Sequence, residues 1–261
     1  MKIKAGLISA LSVYTAAVMV ICATMATERL AHAKPAARED ISFLAAGGFS
    51  EEDYILIESQ TGLGRAAADK IRPWELLKYQ EIFFKDIEIK CVSTTAVSFE
   101  EYVPEPCAEI VTVEDGDILY TSAAHILSWR NGHAAIVTDA AKGRTLEAVV
   151  IGRNTAYSTI SKWEGYPNFK VLRLKGASAE ERRAIAKTAE KYLFDKPYDL
   201  LAGIYPAKNT SAEDISGTQC AHLVWQAYAA HGYDLDSDGG FIVTPADIAQ
   251  SDLLETVQKY G

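Results

Sequence analysis

Residues 217–225 read GTQCAHLVW, and they place Cys220 where a polar loop turns into an apolar helix. The first N–H groups of a helix have no intrahelical acceptor and lie at the positive end of the helix dipole. A thiol at this position ionises more easily than usual, and a developing oxyanion finds hydrogen-bond donors nearby. The stretch therefore predicts a nucleophilic cysteine at a helix N-terminus. A small buried residue with an inert thiol is the alternative interpretation.

A nucleophilic thiol works with a base, and His133 is the candidate among the five histidines. It follows Asn131 and Gly132 and opens a predicted strand of small and apolar residues. The histidines set aside are His32, His125, His222 and His231. His32 lies in the N-terminal leader, and His125 lies in a segment without a supporting pattern. His222 points to the far side of the cysteine helix, and His231 lies at the C-terminal end of that helix. A purely structural strand histidine is the alternative interpretation of His133.

Glu147 is the candidate group for orienting the imidazole. It interrupts the apolar run 146–151, where a carboxylate that faces the core is costly unless it is paired. Directly opposed residues of an antiparallel hairpin have a constant position sum. A sum of 280 or 282 therefore places Glu147 on the face of His133, and an odd sum places it on the opposite face. An exposed edge glutamate is the alternative interpretation, and Asp139 in the turn is the second candidate orienter.

The first 33 residues have the pattern of a secretion signal. Lys2 and Lys4 form a short basic start, residues 5–26 are uncharged and largely apolar, and residues 31–33 read AHA, a small-x-small cleavage pattern. The apolar run is also long enough to span a bilayer, so an uncleaved N-terminal anchor is the alternative. Both interpretations predict that the rest of the chain is secreted, periplasmic or held at the cell surface.

Three cysteines remain beyond this leader, an odd number in a compartment that favours disulfides. Cys91 and Cys107 bracket a loop that contains two prolines. A disulfide that closes a loop of this size stabilises by about 3 kcal/mol in the chain-entropy model. The sequence thus predicts a bridge between Cys91 and Cys107, which leaves Cys220 as the free thiol. Three reduced cysteines are the alternative.

The part of the chain after the leader, residues 34–261, has the size of one ordinary domain. Residues 34–108 form a mainly helical extension in this prediction, because residues 65–71 are alanine-rich and apolar residues recur near helical spacing at 76–84. Strands are predicted at 110–113, 117–120, 133–138, 145–151 and 169–174. A Ser-x-x-Glu capping box at Ser178 opens a helix. Residues 109–261 therefore predict an α+β domain in which an antiparallel sheet packs against helices.

Six motifs in this domain carry a family resemblance. They are DGDIL at 115–119, GHAAIV at 132–137, LEA at 146–148, KPYD at 196–199, QC with LVW between 219 and 225, and TPADI at 244–248. Together they resemble the permuted NlpC-type papain-like cysteine hydrolases, the YiiX-like group. Histidine and glutamate precede the cysteine here, as in that permuted branch. The resemblance covers roughly residues 109–257.

The resemblance implies a permuted papain-like fold and a thiol hydrolase that needs no cofactor. Its implied roles are nucleophile for Cys220, base for His133 and orienter for Glu147, with cleavage of amide bonds, often in cell-wall peptides. Tyr198 and Gln219 are candidates for binding substrate or donating to the oxyanion. The expected partner is thus a peptide or amide substrate, with peptidoglycan among the candidates.

Two departures from the family leave alternatives open. Many YiiX-like proteins have Tyr-Cys-Ser where this chain has Gln219-Cys220-Ala221. The tripeptide Cys220-Ala221-His222 is similar to the Cys-x-His of the lecithin:retinol acyltransferase relatives, which transfer or hydrolyse acyl groups on lipids. A lipid acyl hydrolase or acyltransferase is therefore the second interpretation, and an inactive papain-like binding module is the third.

A short acidic segment suggests calcium. Asp234, Asp236 and Asp238 followed by glycine reproduce the opening of a calcium-binding loop, but Pro245 stands where the closing glutamate of an EF-hand would be. A partial site completed by Asp247 or by a distant residue is one interpretation. A solvated acidic turn is the other.

The net charge of the chain bears on its partners. It is -9, which makes nucleic acid an unfavourable ligand. Contact with a membrane is expected only through an uncleaved N-terminal segment.

Overall fold

Two antiparallel sheets and a set of helices form the described part of the chain. The computed structural model describes residues 37–106, 108–126, 129–204, 208 and 211–261. The leader predicted at residues 1–33 lies outside this part, as does Cys107. None of the helices in the described ranges is long and apolar enough to cross a membrane.

The α-helices are short apart from one. They are α1 (Glu51–Thr61), α2 (Arg65–Ala68), α3 (Leu76–Phe84), α4 (Ile160–Trp163), α5 (Ala179–Leu193), α6 (Cys220–Ala229) and α7 (Pro245–Gln250). Single 3-10 turns lie at Ser42–Ala46, Pro73–Glu75, Ala140–Lys142 and Ala212–Asp214.

The strands belong to two sheets. They are β1 (Lys90–Ser93), β2 (Ser98–Tyr102), β3 (Ile118–Thr121), β4 (Ala124–Ile126), β5 (Trp129–Arg130), β6 (His133–Asp139), β7 (Arg144–Glu147), β8 (Ala156–Thr159), β9 (Phe169–Leu174) and β10 (Leu254–Tyr260). The larger sheet has the order β10-β9-β3-β6-β7-β8 and the smaller one β1-β2-β4-β5, with antiparallel neighbours throughout. The structure is therefore α+β with antiparallel sheets packed against helices.

The larger sheet is covered on both faces, and β6 shows why its sequence is almost wholly apolar. Successive side chains of a strand point to opposite faces. Ala134 and Ile136 belong to the core that includes α5 and α6. Ala135 and Val137 belong to the core that includes the N-terminal helices. A strand buried on both faces needs apolar residues at every position, which turns a polar residue such as His133 into an exception.

The helix that carries Cys220 is buried all round. Every residue of α6 is buried, and the helix packs against α5, α7 and β6. The hydroxyl of Tyr228 donates a hydrogen bond to the carbonyl oxygen of Gly116, in the turn before β3. Gly116 has φ of 90°, a left-handed conformation that favours glycine. Tyr228 thus fixes the helix against the sheet.

The helical N-terminal segment is attached to the same sheet at its β10 edge. The N–H of Gly64 donates to the carbonyl oxygen of Val257 at 2.9 Å, and the N–H of Lys259 donates to that of Gly62 at 2.7 Å. Residues 37–261 accordingly form one compact unit. Residues 90–102, within the predicted helical extension, form the hairpin β1-β2 of the smaller sheet.

Several elements differ from the sequence prediction. The strand predicted at 110–113 is wrong, because the side-chain amide of Gln258 bonds the backbone of Val111 and Glu109 in place of a neighbouring strand. The strand predicted at 145–151 ends at Glu147. The capping box at Ser178 is confirmed, with its side chain bonded to the backbone N–H of Glu181.

The junction at Gly62 gives a stability prediction. Gly62 has φ of 73°, and a Cβ there would overlap the carbonyl oxygen of Lys259. Gly62→Ala should lower the free energy of unfolding by more than about 2 kcal/mol, because a steric clash adds to the left-handed strain. Gly143 has φ of 63° with nothing within 4 Å of an added Cβ, so Gly143→Ala should cost about 1 kcal/mol. If urea unfolding showed the same loss of unfolding free energy for Gly62→Ala and Gly143→Ala, the close contact between Gly62 and Lys259 would be contradicted.

Candidate active site

His133 begins β6 and Glu147 ends β7, so both lie at the open end of the hairpin, and they share one face. The hairpin pairs Ile136 with Leu146 and Val137 with Thr145, which gives the position sum 282. This is one of the two sums that place both side chains on one face, so the register prediction is confirmed. The Nε2–H of His133 donates to Oε2 of Glu147 at 3.0 Å.

Cys220 completes the group from a different layer of the fold. It is the first residue of α6, with 5% of its surface exposed. Cys220 and His133 line the same narrow cavity, and the thiol contributes to the raised pKa of the imidazole. Since Nε2 of the imidazole is bonded to Glu147, Nδ1 is the nitrogen left for the thiol. The three residues predicted from widely separated motifs therefore meet in one buried cluster.

The Glu147 carboxylate is bonded on both oxygens. Oε1 accepts hydrogen bonds from the Thr145 hydroxyl at 2.8 Å and from Nε1 of Trp163 at 3.0 Å. Oε2 accepts from Lys162 at 3.1 Å as well as from His133. Glu147 is 1% exposed, and a charge buried this deeply is tolerated when such donors surround it.

The Trp163 side chain also holds the imidazole. Its ring stacks on that of His133, with the centroids 5.3 Å apart and the planes inclined by 10°. Trp163 is fully buried. One residue thus fixes both the plane of the base and the position of the carboxylate behind it.

Electrostatic coupling favours the charged forms of the pair. Burial alone would lower the pKa of His133, but the interactions with Cys220 and the hydrogen bond that the imidazole donates to Glu147 outweigh burial and raise that pKa to about 9. Burial would raise the pKa of Glu147, but the hydrogen bond and charge of His133, helped by Lys162, hold it well below its usual range. The cluster therefore favours an imidazolium beside an ionised carboxylate near neutral pH.

Gln219 caps the cysteine helix. Its Oε1 accepts from the N–H of Ala221 at 2.8 Å, and its Nε2 donates to the carbonyl oxygen of Val243 at 2.9 Å. Gln219 therefore connects the start of α6 to the segment before α7. A direct role for this amide in binding substrate stays a prediction.

Tyr198 lies beside the thiol. The N–H of Thr218 donates to the carbonyl oxygen of Pro197 at 3.0 Å, and that of Asp199 donates to Thr218 at 2.9 Å. These bonds hold the KPYD segment next to the residues that precede Cys220. Burial raises the pKa of Tyr198, and the proximity of Cys220 raises it further. The phenol thus stays protonated and able to donate.

Cys220 forms part of the wall of two cavities. The narrow one, about 30 Å³, is lined by His133 and His125 together with Glu100 and other residues of both sheets. The wide one, about 310 Å³, is lined mainly by apolar side chains from β4, β5 and the segments before α6 and α7. Tyr198 and Asn131 line both.

The histidines set aside have other partners. His222 is buried, and burial lowers its pKa to about 4, an effect that Asp199 opposes and Lys208 reinforces. Its Nδ1 is joined to Oγ1 of Thr218 by a hydrogen bond of 2.9 Å. His231 is hydrogen-bonded to Thr188 at 2.8 Å.

His125 belongs to a polar cluster that the sequence did not reveal. Its Nε2 lies 3.1 Å from Oε1 of Glu101, whose carboxylate also pairs with Arg130 at 2.7 Å. The ring stacks on Phe99 with the centroids 4.2 Å apart. His125 and Phe99 form part of the narrow cavity's wall on the side of the smaller sheet.

The acidic loop after α6 brings three carboxylates within 4.8 Å of one another, those of Asp236, Asp238 and Asp247. Asp234 instead accepts a hydrogen bond of 2.7 Å from Nε1 of Trp225. The ammonium group of Lys208 pairs with Asp236 and supplies positive charge there. Calcium binding at this loop stays a prediction.

Two further predicted residues lie away from the cluster. Asp139, the second candidate orienter, pairs with Lys142 at 2.7 Å in the turn after β6. Cys91 is exposed on β1, whereas Cys107 lies outside the described residues. Their disulfide thus stays a prediction.

The sequence interpretation missed the groups around Glu147. Thr145 could have been found, since it lies two residues before Glu147 and so shares its face. Lys162 and Trp163 belong to the single-turn helix α4, and no local pattern connects them to the hairpin.

Comparison of the chain with protein-family models, with curated proteins and with solved structures gives no match.

The raised pKa of His133 predicts a pH dependence of stability. A group whose pKa is raised on folding contributes stability in full below its unfolded pKa and loses it as the pH rises through the folded value. The free energy of unfolding of the wild type should therefore fall, relative to that of His133→Asn, between about pH 6.5 and about pH 9. The expected loss is roughly 3 kcal/mol.

Urea unfolding at a series of pH values measures this difference. His231→Asn is the matched control, since burial lowers the pKa of His231 and places its titration below this window. A constant difference between the wild type and His133→Asn across the window would contradict the coupling.

Proposed function

We propose that the protein is a thiol hydrolase with a permuted papain-like fold, in which Cys220, His133 and Glu147 form the catalytic triad. The observation that carries the proposal is the bridging position of His133. One ring nitrogen donates to the buried Glu147, and the other is left for the thiol of Cys220. A nucleophile, a base and an orienting carboxylate in this arrangement define nucleophilic acyl transfer.

The reaction has two steps. In the reactive state His133 holds the proton of the Cys220 thiol as an imidazolium, and the thiolate sulfur attacks the carbonyl carbon of the substrate. The imidazolium then gives its proton to the leaving nitrogen, the C–N bond breaks, and an acyl thioester of Cys220 remains. Water next gives a proton to His133 and attacks the thioester, which releases the carboxylic acid and restores the thiol.

Two donors are placed to stabilise the oxyanion. The N–H of Cys220 belongs to the first residue of α6 and has no intrahelical acceptor. Tyr198 lines both cavities together with Cys220, and its phenol stays protonated. Both would supply hydrogen bonds where negative charge develops.

The sequence resemblance extends the proposal to substrate and location. It supports amide bonds as the bonds cleaved, with cell-wall peptides as one substrate class. The leader-like residues 1–33 support a secreted, periplasmic or cell-surface location. The proposed mechanism uses no metal ion, and the acidic loop is a separate candidate site for calcium.

Alkylation of the thiols tests the activated nucleophile. Iodoacetamide should label Cys220 at least about tenfold faster than a free thiol such as glutathione near neutral pH, because thiolate is the reactive form. It should do so although Cys220 is buried and Cys91 is exposed. In protein treated with a reductant beforehand, so that Cys91 is a thiol, His133→Asn should remove the advantage at Cys220 and leave the labelling of Cys91 unchanged, as measured by peptide mass spectrometry.

His222→Asn is the control for the identity of the base, since His222 lies on the same helix but holds Thr218. It should keep the fast labelling of Cys220. Labelling of wild-type Cys220 no faster than that of glutathione would refute the activated nucleophile and favour an inactive binding module.

A further inference from the structure

The wide cavity has the dimensions of a ligand site. Its volume of about 310 Å³ lies at the lower end of the range for small-molecule pockets. Cys220 lies in its wall, and so does Tyr198. A group bound in this cavity would therefore lie next to the sulfur that is proposed to attack the substrate.

The walls of this cavity are apolar and uncharged. The large apolar side chains include those of Trp129, Leu200, Leu201, Ile242, Val243 and Pro245. The polar lining residues in the described ranges are neutral, and none of the described lining residues is Asp, Glu, Lys, Arg or His. Transfer of a charged group into such a site is costly, whereas a hydrocarbon group gains from it.

The mouth of the cavity exposes apolar surface to solvent. Trp129 is 60% exposed, Leu201 55% and Leu200 50%. Contiguous exposed apolar side chains around a concave site are typical of a surface that a ligand covers. The cavity is thus continuous with an apolar entrance.

The position of His133 decides which part of the substrate enters. As the general acid, His133 must reach the leaving group within hydrogen-bond distance. It lines the narrow cavity and not the wide one. The leaving group therefore belongs on the side of the narrow cavity, and the acyl group on the side of the wide cavity.

We propose that the wide cavity binds an aliphatic acyl chain, so that the substrate is an acylated amide or ester and the covalent intermediate is a fatty-acyl thioester of Cys220. This inference rests on the proposed function and specifies its substrate. The S–C bond forms as the bond to the leaving group breaks, and His133 supplies the proton that the leaving group takes. Water then releases the fatty acid.

Alkyl chloromethyl ketones of graded length test the cavity directly. The Cys220 sulfur attacks their methylene carbon, an S–C bond forms and chloride leaves, while the alkyl group occupies the place of the acyl chain. The labelling rate at Cys220 should rise at least tenfold from the methyl to the heptyl reagent, with a limit of roughly fourfold per methylene. Cys91, which lies outside both cavities and is kept reduced in this experiment, should show no such rise.

A pair of leucine variants tests whether the dependence on chain length arises in the wide cavity. Leu201→Asp places a charge at the mouth of the cavity and should flatten the dependence of the labelling rate on chain length. Leu77→Asp makes the same change at an exposed position on α3 and should keep the full dependence. Both positions are exposed, so neither change is expected to prevent folding.

Three outcomes are distinguishable. Equal rates for all chain lengths with fast methyl labelling would overturn the aliphatic site and leave the proposed function standing. A preference for peptidyl chloromethyl ketones with a glutamate at the acyl position would also overturn it, in favour of wall peptides. Slow methyl labelling that His133→Asn leaves unchanged would refute both proposals.

Turnover separates the two sources of the acyl chain. An octanoyl amide and an octanoyl ester of matched fluorogenic leaving groups present the same chain to the cavity. Hydrolysis of the amide supports N-acyl amides as substrates, and hydrolysis of the ester alone supports acylated lipids. Each should be abolished by Cys220→Ala and each should exceed hydrolysis of the acetyl analogue, whereas equal rates for octanoyl and acetyl would contradict the proposal.

Discussion

The buried carboxylate of Glu147 is the constraint on which the rest of the site depends. An ionised carboxylate without partners would be expelled from the interior or neutralised. Here four donors bind it, and they come from β6, from β7 and from α4. These elements must be in place together for the charge to be tolerated. The pairing that orients His133 is therefore also a condition for correct packing of the sheet edge.

The thiol reaches this pair through a second set of contacts. Tyr228 fixes α6 to the turn before β3, and Thr218 holds the segment in front of the helix against Pro197. Gln219 adds the bond to Val243 on the other side. The helix is thus held by two contacts at its start and by a third near its C-terminal end, which is the preorganisation that positioned nucleophiles require. The same bonds connect the helix start to walls of the wide cavity.

The sequence allowed part of this site to be predicted because that part follows from local rules. The placement of Cys220 at a helix start follows from a change of pattern within nine residues. The shared face of His133 and Glu147 follows from strand alternation once the register is known. Lys162 and Trp163 escaped prediction because their contacts with Glu147 depend on how distant segments fold together. The cluster of His125, Glu101 and Arg130 was not predicted, for the same reason. The wide cavity was not predicted either.

The stacking of Trp163 on His133 has a consequence for proton movement. The indole covers one face of the imidazole while its own N–H holds the carboxylate behind it, so a ring flip would break the bond to Glu147 and disturb the stack. The two nitrogens of His133 consequently cannot exchange roles during turnover. One is permanently committed to the carboxylate. In the proposed mechanism every proton that the enzyme moves must pass through the other, so a single atom acts as the gate for both halves of the reaction.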